Sequence, residues 1–129
     1  MQSGKTIDYS NKTPVSDTYS FDYLIEKDCL YVDKTEYLYN LVSSQKKLYF
    51  FSRPRRFGKS LTLSTLKAIF QGKKELFKGL YIEKQPYDWK KYPVIHLDMG
   101  SVSANNAEEL EENLQFLLMR QAKILNVQL

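Results

Sequence analysis

Apolar positions recur at helical spacing in several stretches of this chain and bunch into short unbroken runs in others. Phe21, Leu24 and Ile25 follow Ser20 on one face of a short helix. Asp33 is placed to cap a second helix, with Glu36 completing an acidic variant of the capping box and Tyr37, Leu38, Leu41 and Val42 forming its apolar side. From Lys59 to Phe70, Leu61, Leu63, Leu66, Ile69 and Phe70 mark a third helix, and Gly72 stands where a terminating glycine belongs. Residues 74–82 predict one helical turn and a bend at Gly79. Asn106 or a near neighbour caps a long fourth helix, with Glu108, Glu109, Glu111 and Glu112 at its positive end. Its apolar stripe is Leu110, Leu114, Leu117, Leu118, Ile124 and Leu125.

The unbroken runs read differently. Leu48-Tyr49-Phe50-Phe51 and Val94-Ile95-His96-Leu97-Asp98 have the length and residue types of strands buried on both faces. Leu30-Tyr31-Val32 is a brief extended piece. Residues 1–18 are polar and end in Thr13-Pro14-Val15-Ser16-Asp17, a loose leader, which leaves 19–129 as the folded part. Helix, strand, loop, helix, strand, helix is an α/β order. The expectation is an incomplete three-layer α/β domain of the P-loop NTPase type, with parallel-type strands and helices on both faces. Two such strands alone leave faces and edges of a sheet uncovered.

Composition narrows the classes only slightly. With 129 residues, 43% of them hydrophobic and 26% charged, the chain suits one small globular domain. A net charge of +4, from 19 basic and 15 acidic residues, does not single out a nucleic-acid binder. The lone cysteine, Cys29, rules out an internal disulfide and favours a reducing compartment. No apolar stretch has the length of a membrane span or a signal peptide, so cytoplasm is the expected location.

The candidate chemistry lies between the first apolar run and the third helix, in Ser52-Arg53-Pro54-Arg55-Arg56-Phe57-Gly58-Lys59-Ser60. A phosphate-binding loop needs a buried strand, a turn with free backbone N–H groups and a helix whose N-terminus faces the anion. Gly58 lets backbone approach a phosphate, Lys59 reaches the β- and γ-phosphates, and the Ser60 hydroxyl is a ligand for Mg²⁺. The first glycine of the usual pattern is replaced by Arg53, which leaves open a basic turn that merely caps a helix. Arg53, Arg55 and Arg56 suit bidentate phosphate recognition, contact with a nucleic-acid backbone, or pairing with acidic groups of another domain. Ser3-Gly4-Lys5-Thr6 mimics the end of the motif, but no strand precedes it and no amphipathic helix follows. His96 reads as a structural histidine, Cys29 as inert, and the tyrosines as packing residues.

Tyr31-Val32-Asp33-Lys34-Thr35 and Tyr49-Phe50-Phe51-Ser52-Arg53-Pro54-Arg55-Arg56-Phe57-Gly58-Lys59-Ser60 resemble the predicted AAA-ATPase-like family of bacteria and archaea. So do Gly72-Lys73-Lys74-Glu75-Leu76-Phe77-Lys78-Gly79-Leu80-Tyr81-Ile82 and Tyr92-Pro93-Val94-Ile95-His96-Leu97-Asp98, and the match runs over roughly residues 20–125. The resemblance implies an ATP-binding segment with Arg53, Arg55, Arg56, Phe57, Gly58, Lys59 and Ser60 at the nucleotide and Ser60 on Mg²⁺. It accounts for Arg53, since the family has R-P-R-R-F-G-K-S at this place. It also implies that Tyr31 and Asp33 lie near the adenine, although capping explains Asp33 as well. In a longer protein it implies a C-terminal domain similar to PD-(D/E)XK nucleases, with nucleic acid as a partner through it.

Members of such families carry an apolar strand ending in Asp-Glu further along, which positions Mg²⁺ and water. Asp98 is followed by Met99, so it reads as a cap of the next loop rather than that metal ligand. The expected activity of these residues is therefore ATP binding, with hydrolysis needing an acidic strand outside them and no catalytic residue among them. A non-catalytic interaction or nucleic-acid-binding module that uses the basic loop, and a truncated product, are the alternatives.

Overall fold

The computed structural model describes residues 20–54 and 58–127. They fall into two compact units, the first reaching to Tyr92 and the second starting at Pro93.

The helices form where the periodicity places them. In the first unit these are α1 (Phe21–Glu26), α2 (Thr35–Ser43) and α3 (Lys59–Phe70), followed by 3-10 turns at Lys74–Phe77 and Tyr81–Lys84. Ser20 caps α1 by accepting from the Tyr23 N–H at 3.4 Å. Gly72 sits at φ 69 beyond α3, its N–H donating to Ile69 O and that of Lys73 to Ala68 O, both at 3.1 Å. That pair of bonds is a Schellman ending, and it uses two of the carbonyls a helix end leaves over. A Cβ on Gly72 would lie 2.6 Å from the Trp89 carbonyl oxygen, so the glycine is needed for space as well as for φ.

The core of this unit gathers Phe21 from α1, Leu38 from α2, Ala68 and Ile69 from α3, and Phe77, Leu80 and Ile82 from the 3-10 region. Phe21 stacks on Phe77 at 4.7 Å, and Trp89 leans on Phe77 at 5.1 Å. The Phe21 N–H donates to Ser64 Oγ at 2.9 Å, tying the start of α1 to α3. Asp22 and Lys73 pair at 2.5 Å across the same seam.

A polar hub around the buried Thr35 joins α2 to the second 3-10 turn. Asp33 Oδ1 accepts from the Thr35 N–H at 2.9 Å and from the Thr35 hydroxyl at 2.7 Å. Asp33 Oδ2 accepts from the Tyr81 N–H at 2.7 Å, and Thr35 Oγ1 from the Ile82 N–H at 3.1 Å. Asp33 thus supports the entry to α2 from one residue before the cap position, which Lys34 occupies without a side-chain cap bond, and its carboxylate is spent on structure.

The second unit carries a 3-10 turn at Met99–Ser101 and the helix α4 (Ala107–Ile124). Asn106 caps α4 by accepting from the Glu109 N–H at 2.8 Å. Glu109 Oε2 accepts from the Asn105 N–H at 2.8 Å, an arrangement akin to a capping box. Asp98 accepts from the Gly100 N–H at 2.9 Å, the loop-capping role read from its sequence.

The expected three-layer α/β sheet is not what forms. The described residues are helical, and no sheet with parallel strands is present among them. Residues 48–51 have no regular ladder; Leu48 and Phe50 are 92% and 95% exposed, and Tyr49 and Phe51 are half-buried. Residues 93–98 are likewise irregular, with Ile95 59% exposed and His96 on the surface instead of packed within a strand. The physical reason is that strand pairing is non-local. An apolar run reports a preference for burial, whereas a ladder also requires a neighbouring strand to take its N–H and C=O groups.

Candidate anion site at the start of α3

Gly58 stands immediately before α3 with φ 78 and ψ 21, the left-handed region that glycine enters at no steric cost. Among the described residues, no atom lies within 4 Å of where a Cβ would sit. The Gly58 carbonyl accepts the first helical bond, from the Thr62 N–H at 2.9 Å, and also the Thr62 hydroxyl at 2.8 Å. Among the described residues no side chain caps α3, and its first turn contains no acidic residue. The first N–H groups of any helix lack partners within it, and their dipoles favour an anion. Lys59 and Ser60, the first two residues of α3, are both exposed.

The residues expected at the site divide into two groups. Gly58, Lys59 and Ser60 come together at the α3 start, and Arg53 lies on the approach with its guanidinium 5.8 Å from the centroid of the Phe51 ring. Arg55, Arg56 and Phe57 lie outside the described residues. Among the described residues, no three or more His, Cys, Asp or Glu side chains are grouped to hold a metal ion.

Beside Gly58 opens a cavity of about 590 Å³. One wall is α3, through Leu61, Thr62 and Thr65. Tyr31, Val32, Lys34, Tyr37, Phe51 and Arg53 also line it. Its volume lies in the range of ordinary small-ligand pockets. Tyr31 packs edge-on against Phe21 at 5.1 Å. Burial pushes the Tyr31 phenol up to about 12, a rise reinforced by the Asp33 charge and moderated by its hydrogen bond with Thr65.

Sequence reasoning reached the α3 start and missed the cavity walls. Thr62 and Thr65 belong to no motif, and Lys34, within the block Tyr31-Val32-Asp33-Lys34-Thr35, was given no role at the ligand. The one available signal was the spacing of Leu61, Thr62 and Thr65 on successive turns of a helix predicted to follow the loop. Of the two residues the resemblance set near the base, Tyr31 lines the cavity and Asp33 serves the Thr35 hub.

Comparison with known proteins identifies the family. The model of the AAA-ATPase-like family, described as predicted AAA-ATPase, matches residues 16–128, and the chain belongs to that family. A protein of Azotobacter chroococcum mcd 1, called the uncharacterized protein in the vnfD 5′ region, is 42% identical over 92 residues. The match takes in 70% of this chain and 17% of that protein, so the chain spans about a sixth of its relative's length. No solved structure matches the chain. No helix among the described residues is long and apolar enough to cross a membrane.

Proposed function

We propose that this chain is the ATP-binding segment of an ATPase of the predicted AAA-ATPase family. The observation that carries the reading is the start of α3: a left-handed Gly58, no capping side chain among the described residues, no acidic residue in the first turn, and Lys59 as first helical residue. An ATP polyphosphate there receives backbone N–H groups, the helix dipole and the Lys59 ammonium together. Arg53 adds a cation on the approach, and Arg55 and Arg56 supply two more in the sequence between. The residues fit Mg²⁺ through one ligand of their own, the Ser60 hydroxyl. When bound, the ion draws charge from the β- and γ-phosphates. Binding and charge neutralisation are the tasks of these residues. Turnover, and any nuclease-like partner domain, are assigned to a longer protein that contains such a segment.

Calorimetric titration of Mg-ATP into the chain and into Lys59→Ala tests the reading. Saturable binding that Lys59→Ala weakens at least about tenfold, the effect of losing one well-placed charge contact, is expected. Absence of binding by the folded chain, or equal binding by the variant, contradicts it.

A further inference from the structure

The second unit, Pro93–Leu129, has no buried residue among those described. Segments below about forty residues hold a fold through a disulfide, a metal or association. This unit contains no cysteine, and no group of metal-ligating side chains is found among the described residues.

The helix α4 carries the apolar surface that an association requires. Leu110, Leu114, Leu117, Leu118, Ile124 and Leu125 fall on one side of it. Ile124 is 67% exposed, Leu118 40% and Leu110 38%, and the other three are half-buried. Phe116 and Met119 are exposed as well, but they point away from this stripe.

Charge along α4 says what covers the stripe. Glu108, Glu109, Glu111 and Glu112 occupy its first half, and Arg120 and Lys123 stand near its end. A helix so charged is complementary to itself when a second copy runs antiparallel, an arrangement that also opposes the two macrodipoles. Glu109 and Arg120 are about three turns apart and therefore share one flank of the stripe. In a twofold antiparallel pair that flank meets its own copy, so each Glu109 faces the other chain's Arg120.

This register has a second consequence. Ile124 lies four residues beyond Arg120, about 6 Å along the helix, which brings it level with Asn105 of the other copy. A cavity of about 320 Å³ opens there, with Met99, Val102, Ala104, Ala107 and Leu110 as its apolar lining. The most exposed residue of the stripe thus meets an apolar recess at each end of the pair.

We propose that α4 is a homodimer interface, two copies pairing antiparallel with Ile124 of each in the recess of the other and Glu109 against Arg120 at both ends. Twofold symmetry makes every such contact occur twice. The interface lies wholly in the second unit and does not depend on the anion site.

Sedimentation equilibrium of the full chain tests the proposal, alongside Ile124→Asp, Arg120→Glu and Glu109→Lys. Ile124 and Arg120 are exposed, and circular dichroism with a thermal melt establishes that each variant keeps its helix and its fold. Expected is a monomer–dimer equilibrium with a dissociation constant on the order of micromolar. Ile124→Asp, Arg120→Glu and Glu109→Lys should each weaken it at least about tenfold. An equal mixture of Arg120→Glu and Glu109→Lys should recover the dimer, because every facing pair is then of opposite charge. A wild-type chain that stays monomeric at all concentrations overturns the proposal, all the more if Ile124→Asp lowers its melting temperature, since the stripe is then covered within one chain. A dimer indifferent to Ile124→Asp overturns α4 as the interface. A mixture that does not recover overturns the antiparallel register.

Discussion

Thr35 is fully buried and holds both a donor and an acceptor role, giving its hydrogen to Asp33 and taking that of Ile82 N. Valine has nearly the same shape and neither capacity. Thr35→Val should therefore leave the Ile82 N–H unpaired in the core and cost about 1–3 kcal/mol, read from a denaturant melt. Tyr31 makes a second residue-scale prediction. Its phenol titrates at about 12 in the folded chain against an ordinary value of 10.0. A folded value above the unfolded one gives stability that is complete below pH 10 and lost as pH rises toward 12. The wild type should lose about 2 kcal/mol more than Tyr31→Phe across that window. Parallel pH profiles for the two proteins would contradict the burial of this group. Neither role could be read from sequence: a Tyr and a Thr upstream of a basic loop show nothing of whether their hydroxyls face solvent, a cavity or a neighbour's amide.

At the scale of elements, the helices were legible because each is specified by residues within it. Asn106 with the glutamates behind it, Ser20, and Gly72 after an apolar stripe each satisfy terminal backbone groups by local contacts. Their ends agree with the structure closely: α3 runs from Lys59 to Phe70, as its periodicity predicts. Gly72 is the sharpest case, since φ 69 and the Trp89 carbonyl both exclude a side chain. Gly72→Ala should destabilise the chain by about 2 kcal/mol or more, measured by thermal or chemical unfolding. A neutral substitution would mean that Trp89 and the chain after it do not rest against the end of α3. The strands were misread because their determinant lies elsewhere in the chain. Phe50 and Leu48 are as apolar as Phe21 and Leu38, and only the second pair finds a partner surface among the described residues.

At the scale of the whole molecule, the first unit contains both the start of α3 and the cavity beside it, while the second unit is built around α4. The candidate phosphate-binding signature was visible in sequence because three adjacent residues carry it, Gly58, Lys59 and Ser60. The cavity was not, since its walls come from segments 30–38, 51–53 and 58–65, which only the fold brings together. The family match over residues 16–128 supports an ATPase theme, and where the anion sits is a question for this chain alone. An amide chemical-shift titration with Mg-ATP addresses it most directly. The largest saturating shifts should fall on Gly58, Lys59, Ser60 and Leu61, and they should vanish in Lys59→Ala. Shifts confined to another basic stretch, such as Arg120 and Lys123 on α4, would contradict a nucleotide site at the start of α3.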